Sequence, residues 1–273
     1  MPPKPPSQKL THFLCIPLIT PSSLPSLSTS LSHFHRTVSA PSHVPSIPAS
    51  AVRPLGTLHL TLGVMSLGTE ERVEEALGVL RGLDLGGMVL EALSPKSEAF
   101  SAEKIGTGIE EREKGKESNG TKDLRITLRG LKSMQAPAST SVLYAPPLHS
   151  SALSSFCLAL KKVFTDAGLL VPDDRGLLLH VTVVNTVYVP RGQGQGHGQS
   201  QGGGVRDGGG SGGAGQRRKG RITIDAQEML EDWAEFTWME GVKVERVAVC
   251  RMGGKKGADG AEAYVVEGSV DMP

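Results

Sequence analysis

Apolar and polar residues fall along this chain in short, regular patterns that predict an interleaved set of strands and helices. Leu10 to Leu18, LTHFLCIPL, reads as a strand closed by Pro17 and Pro21. From Ser22 to Val38 the apolar residues Leu24, Leu27, Leu31 and Phe34 recur at helical spacing. Ser22 or Ser23 is available as a cap there, and Pro25 fits only the first turn. A Pro- and Ser-rich connector follows over 39–55, and then a strong strand, Gly56 to Leu67, GTLHLTLGVMSL. Thr69 is placed to cap the next helix, EERVEEALGVLRGL, whose Val73, Leu77 and Leu80 share one face. Its acidic first turn, Glu70, Glu71 and Glu74, suits the helix dipole.

The second half repeats this rhythm. Leu124 to Met134, LRITLRGLKSM, alternates as a strand, and Ser141 to Ala145 is a short strand ended by Pro146 and Pro147. Ser150 to Ala167 is an amphipathic helix with Leu153, Phe156, Leu160 and Phe164 inward and Gly168 as its stop. Leu177 to Val189, LLLHVTVVNTVYV, is the most β-prone stretch. Asp225 to Phe236 is a helix with Asp225 as candidate cap, Val242 to Cys250 a strand, and Ala261 to Val270 its antiparallel partner across GGKKGADG. Mixed helices and antiparallel pairs in this order predict an α+β fold.

Composition adjusts that picture at three places. Thirty-four glycines and 18 prolines among 273 residues, with 38% hydrophobic residues, imply segments outside any core. Residues 1–9 are expected to be a disordered N-terminus, and 101–122 and about 190–220 flexible insertions in a single domain spanning 10–273. The second insertion is nearly all Gly, Gln, Ser and Arg and cannot bury enough apolar surface to offset its ordering entropy. A net charge of +1 gives no global basic field for nucleic acid. Cys15, Cys157 and Cys250 lack the paired spacing of a zinc site and are expected as buried free thiols. No apolar run approaches the ~20 residues needed to span a bilayer. The first fifty residues lack Asp and Glu, as presequences do, but contain only Arg36, which argues against mitochondrial targeting.

The chemistry is carried by a repeat. LHLTLGV and LHVTVVN share one pattern: apolar, His, apolar, Thr, apolar. Side chains alternate along a strand, so His59 and Thr61 project together, as do His180 and Thr182, with Leu60, Leu62, Val181 and Val183 on the opposite faces. One His-x-Thr means little, but two copies in matching strands, each after a comparable helix, suggest a duplication facing one cleft. Phosphodiester cleavage needs one group to take a proton from the nucleophile and another to give one to the leaving oxygen. Histidine, with an ordinary pKa of ~6.5, serves either role. Each Thr hydroxyl can donate to a non-bridging phosphate oxygen.

At these residues the sequence resembles the two-histidine (2H, LigT-like) phosphoesterase superfamily. More closely it is similar to the branch containing activating signal cointegrator complex subunit 1 and the A-kinase anchor protein phosphoesterase-like domain. The matching stretches are THFLCIPL, GTLHLTLGVMSL, LRITLRGLKSM, VLYAPPL and LHVTVVNTVYV, in the family's order. The resemblance implies a two-lobed fold with a central groove, each lobe an antiparallel-rich sheet with helices outside. It implies His59 and His180 as catalytic residues, Thr61 and Thr182 as phosphate-binding residues, and no cofactor or metal. The implied substrates are RNA ends or oligonucleotides carrying a 2′,3′-cyclic phosphate or a 2′–5′ linkage. The alternative is a non-catalytic RNA- or nucleotide-binding adaptor in a transcription-coactivator or alkylation-repair complex. A monomer in the nucleus or cytoplasm, off the membrane, is the corresponding expectation. Tyr188 and Phe13 are candidates to stack a base, although strand packing competes for both rings. Lys132 and Arg129 are expected on a solvated face; Asn185 follows the second motif and is near enough to orient a loop, though no role follows from sequence alone.

Overall fold

The computed structural model describes residues 9–43, 45–94, 123–190 and 222–273. The insertions expected at about 101–122 and 190–220, apart from Pro190, and the N-terminus up to Gln8 lie outside the described residues. The fold is α+β, and its two antiparallel systems carry one His-x-Thr motif each.

The first system is a four-stranded sheet in the order β11 (Val266–Asp271), β8 (Arg246–Arg251), β1 (His12–Pro17), β2 (His59–Met65). Its two faces follow from strand alternation. Leu14, Ile16, Leu60, Leu62, Val247 and Val249 point into the main core, whereas Phe13, Cys15, Ala248 and Cys250 form a smaller cluster on the other face. Cys15 and Cys250 bring their Sγ atoms to 3.7 Å there, and all three cysteines are buried and free, as expected. Helix α2 (Glu70–Arg81) packs on β8 and β11, with Ala76, Leu77 and Leu80 buried. Thr69 caps it by accepting from the Arg72 amide.

The second system joins β3 (Arg125–Arg129) to β7 (Thr237–Lys243), and β4 (Lys132–Ser133) to β5 (Val142–Ala145) and β6 (Val181–Asn185). Residues 146–148, continuing β5, bond to β3 through Arg129 N to Pro146 O and Leu148 N to Thr127 O. The two pieces are therefore neighbours. Helix α1 (Leu24–Val38) packs on β7, and α4 (Ser151–Asp166) packs on β2 and on α3 (Leu85–Ala92), a helix the sequence reading did not assign. Leu153, Phe156, Leu160 and Phe164 are buried on α4 as predicted, and Gly168 ends it with φ +65°.

Several sequence expectations are corrected. The strand expected over 124–134 breaks at Gly130 into β3 and β4, which belong to different ladders. Gly130 has φ +79°, its amide bonds Phe236 O, and its carbonyl accepts from Trp238 Nε1 at 2.8 Å. The strand expected over 242–250 likewise divides at Val244–Glu245 into β7, paired with β3, and β8, paired with β1. The helix expected over 225–236 shortens to α5 (Gln227–Asp232), because the chain must turn into β7 at Thr237. Ser23 stands at the N-cap of α1 but makes no capping bond; its hydroxyl donates to Leu18 O and accepts from Thr20 N, tying the helix to the end of β1. The 39–55 stretch is not a loose connector. It buries Ile47, Ala51, Val52 and Arg53, and Val52 bridges Val184 on β6.

Candidate active site

His59 opens β2, and its neighbours Leu60 and Leu62 are anchored in the core at 0% and 2% exposure. That anchoring turns His59 and Thr61 to the opposite face. The expected strand over 177–189 is shorter: β6 starts at Val181, one residue after His180, and Thr186–Tyr188 is a turn of 3-10 helix. Val181 and Val183 are buried, so Thr182 takes the other face. Both threonines are partly exposed, and neither hydroxyl bonds any described residue. β2 and β6 are in contact without sharing a ladder, which brings the two motifs together from separate sheets.

The two histidines are held in the same way. His59 Nδ1 lies 2.7 Å from Thr57 O, and His180 Nδ1 lies 2.9 Å from Leu178 O, each the carbonyl two residues back. A carbonyl only accepts, so Nδ1 carries the hydrogen in both rings. Nε2 is then the unprotonated nitrogen of each neutral ring and the one left for chemistry. An aromatic ring from the adjacent strand backs each imidazole: Phe13 of β1 at 4.7 Å from His59, and Tyr144 of β5 at 5.5 Å from His180. Tyr264 adds an edge contact to His59 at 5.2 Å.

Burial lowers the His59 pKa to about 4; the bond to Thr57 opposes this, and the charges of His180 and Arg53 add to it. His59 is therefore neutral near pH 7, and His180 is near enough for its charge to be felt.

Phe13 is only 4% exposed and lies against His59 and Tyr264, so it offers no open face to a base. Tyr188 is 45% exposed, with the Arg53 guanidinium 3.8 Å from its ring centroid. Asn185 accepts from the Val187 amide and so shapes the turn that presents Tyr188. Arg129 is exposed and pairs loosely with Glu235 at 3.8 Å, and Lys132 is exposed on β4.

Sequence reasoning missed Arg53 and Tyr264. Arg53 is fixed by its own amide bonding Val183 O on β6, and Tyr264 sits in the hairpin segment after β10 (Glu262–Ala263). A lone arginine in the Pro/Ser-rich stretch was the only visible signal. Among the described residues, no group of three His, Cys, Asp or Glu side chains is arranged to hold a metal. No described helix is long and apolar enough to cross a membrane.

The sequence matches the family described as the AKAP7 2'5' RNA ligase-like domain over residues 10–272. The chain belongs to that family. Membership fits the expected place in the 2H superfamily, and the matched span takes in both histidine motifs and the hairpin that carries Tyr264. Solved structures similar to the chain include one titled as the crystal structure of a phosphoesterase, 15% identical, with a TM-score of 0.46 over 96% of this chain and 98% of that one. E. coli LigT complexed with 3'-AMP is 14% identical, with a TM-score of 0.45 over 96% and 98%. TT0787 of Thermus thermophilus is 12% identical, with a TM-score of 0.43 over 96% and 97%. No curated protein sequence matches.

Proposed function

We propose that the chain is a phosphodiesterase that acts on RNA ends or oligonucleotides, opening a 2′,3′-cyclic phosphate or cleaving a 2′–5′ linkage by paired histidine catalysis. The observation that carries this reading is the matched Nδ1 bonds to Thr57 O and Leu178 O, which leave two Nε2 atoms for proton transfer. Burial keeps His59 neutral, so it is the base: its Nε2 takes a proton from the attacking water. The water oxygen bonds to phosphorus as the bond to the leaving oxygen breaks. His180, protonated on Nε2, gives its proton to that oxygen. Thr61 and Thr182 donate to the non-bridging oxygens, which gain charge in the transition state.

A panel of 2′,3′-cyclic AMP, 2′–5′ diadenylate and 3′–5′ diadenylate tests this with wild type, His59→Ala and His180→Ala, with and without chelator. Turnover by the wild type, insensitive to chelator and reduced roughly 10²–10⁴-fold in each variant, is expected. Unchanged turnover in either variant overturns the assignment of that histidine. Retained binding without product from any substrate favours the adaptor reading.

A further inference from the structure

Beside the histidine groove the chain forms a cleft of about 500 Å³, walled by 49–50, 52–56, Tyr188 and the hairpin of β9 (Lys255–Lys256) and β10. Arg53 lies on its wall at 5% exposure, and its Nη2 has no hydrogen-bond partner among the described residues. The nearest carboxylate is Glu262, whose Oε1 is 3.8 Å from Nη2, too long for a hydrogen bond. A buried guanidinium with an unmet N–H is costly, and the matching partner is a planar or tetrahedral oxyanion. Lys256 stands across the rim, opposite Glu262 in the hairpin register. Tyr188 has Arg53 against its ring and remains 45% exposed.

We propose that this cleft is a second-phosphate subsite. Arg53 Nη2, with Lys256 at the rim, holds the phosphate one nucleotide away from the linkage between His59 and His180, and Tyr188 lies under the attached base. Glu262 is the group that the phosphate displaces from Arg53. The assignment rests on the phosphoesterase reading of the groove and narrows it: substrates carrying a second phosphate are preferred to lone cyclic mononucleotides.

Calorimetry with adenosine 3′,5′-bisphosphate and adenosine 3′-monophosphate tests the subsite without requiring turnover. Wild type is expected to bind the bisphosphate about tenfold more tightly or better, the factor that one charge-assisted hydrogen bond supplies. Arg53→Met should abolish the difference, Arg53→Lys should keep part of it, and Lys256→Gln should narrow it. Raising the salt concentration should shrink the preference. Equal affinity of wild type for the two ligands overturns the subsite, even if a variant fails to fold. Equal weakening of both ligands by Arg53→Met also overturns it. If the binding preference holds but neither a cyclic phosphate nor a 2′–5′ linkage is turned over, the phosphoesterase reading falls and the subsite stands. If turnover is found without the preference, the reverse follows.

Discussion

His59 should make the protein sensitive to mild acid. Its folded-state pKa of about 4 lies below the ordinary histidine value of 6.5, chiefly because the ring is buried beside Phe13 and Tyr264. Between these two values the unfolded chain binds a proton that the folded chain refuses. Its stabilising contribution is thus complete above pH 6.5 and is lost as pH falls toward 4. At about 1.4 kcal/mol per pH unit the whole interval comes to roughly 3 kcal/mol. The ring edge keeps some access to the groove, and solvent screening reduces the figure to roughly 1–2 kcal/mol. Asparagine is the informative replacement, because its Nδ2 can take over the bond to Thr57 O while removing the titration. Urea denaturation of wild type and His59→Asn at several pH values from 7.5 to 4.5 should show the variant losing less stability on acidification by that amount. His12, also buried and lowered by burial, pushes in the same direction in both proteins, so the difference isolates His59. Equal acid slopes in the two proteins, or an NMR midpoint near 6.5 for the His59 ring, would refute the reasoning.

Four other substitutions probe the same construction. Thr61→Val and Thr182→Val remove hydroxyls that bond no described residue and keep a β-branched side chain in the strand. Each should lower kcat/KM about 10–100-fold while leaving the melting temperature within a degree or two, and an unchanged rate would remove that threonine from the phosphate site. Leu60→Ala empties a fully buried position behind His59 and should cost about 2–5 kcal/mol in chemical denaturation; a loss under 1 kcal/mol would contradict its anchoring role. Gly56→Ala would set a Cβ 2.6 Å from Glu262 O and 3.0 Å from Ala263 Cβ. It should destabilise by about 1–3 kcal/mol and weaken bisphosphate binding by pushing the hairpin off the cleft, and unaltered melting would show that the hairpin yields freely.

Much of the candidate site was legible because it depends on local periodicity. Alternation in LHLTLGV and LHVTVVN was enough to place the histidines and threonines opposite Leu60, Leu62, Val181 and Val183, and the structure buries those four residues. The α4 face and its stop at Gly168 were legible for the same reason, since four apolar residues at helical spacing leave one way to bury them. Phe13 shows the limit. An aromatic residue in a strand reads as packing first and as a stacking platform second, and only its contacts with His59 and Tyr264 separate the two.

By itself, then, the sequence determined the α+β class, the helix faces and the paired His-x-Thr strands, because each follows from residues a few positions apart. The tertiary structure decided which ladders those strands join. The 124–134 and 242–250 stretches alternate without interruption, yet each divides between two ladders, since a turn at Gly130 or at Val244–Glu245 leaves the apolar pattern unchanged and only long-range pairing reveals it. Long-range pairing also brings Arg53 to β6 and Tyr264 to His59. Burial in the assembled groove, not any neighbour in sequence, is what holds His59 neutral.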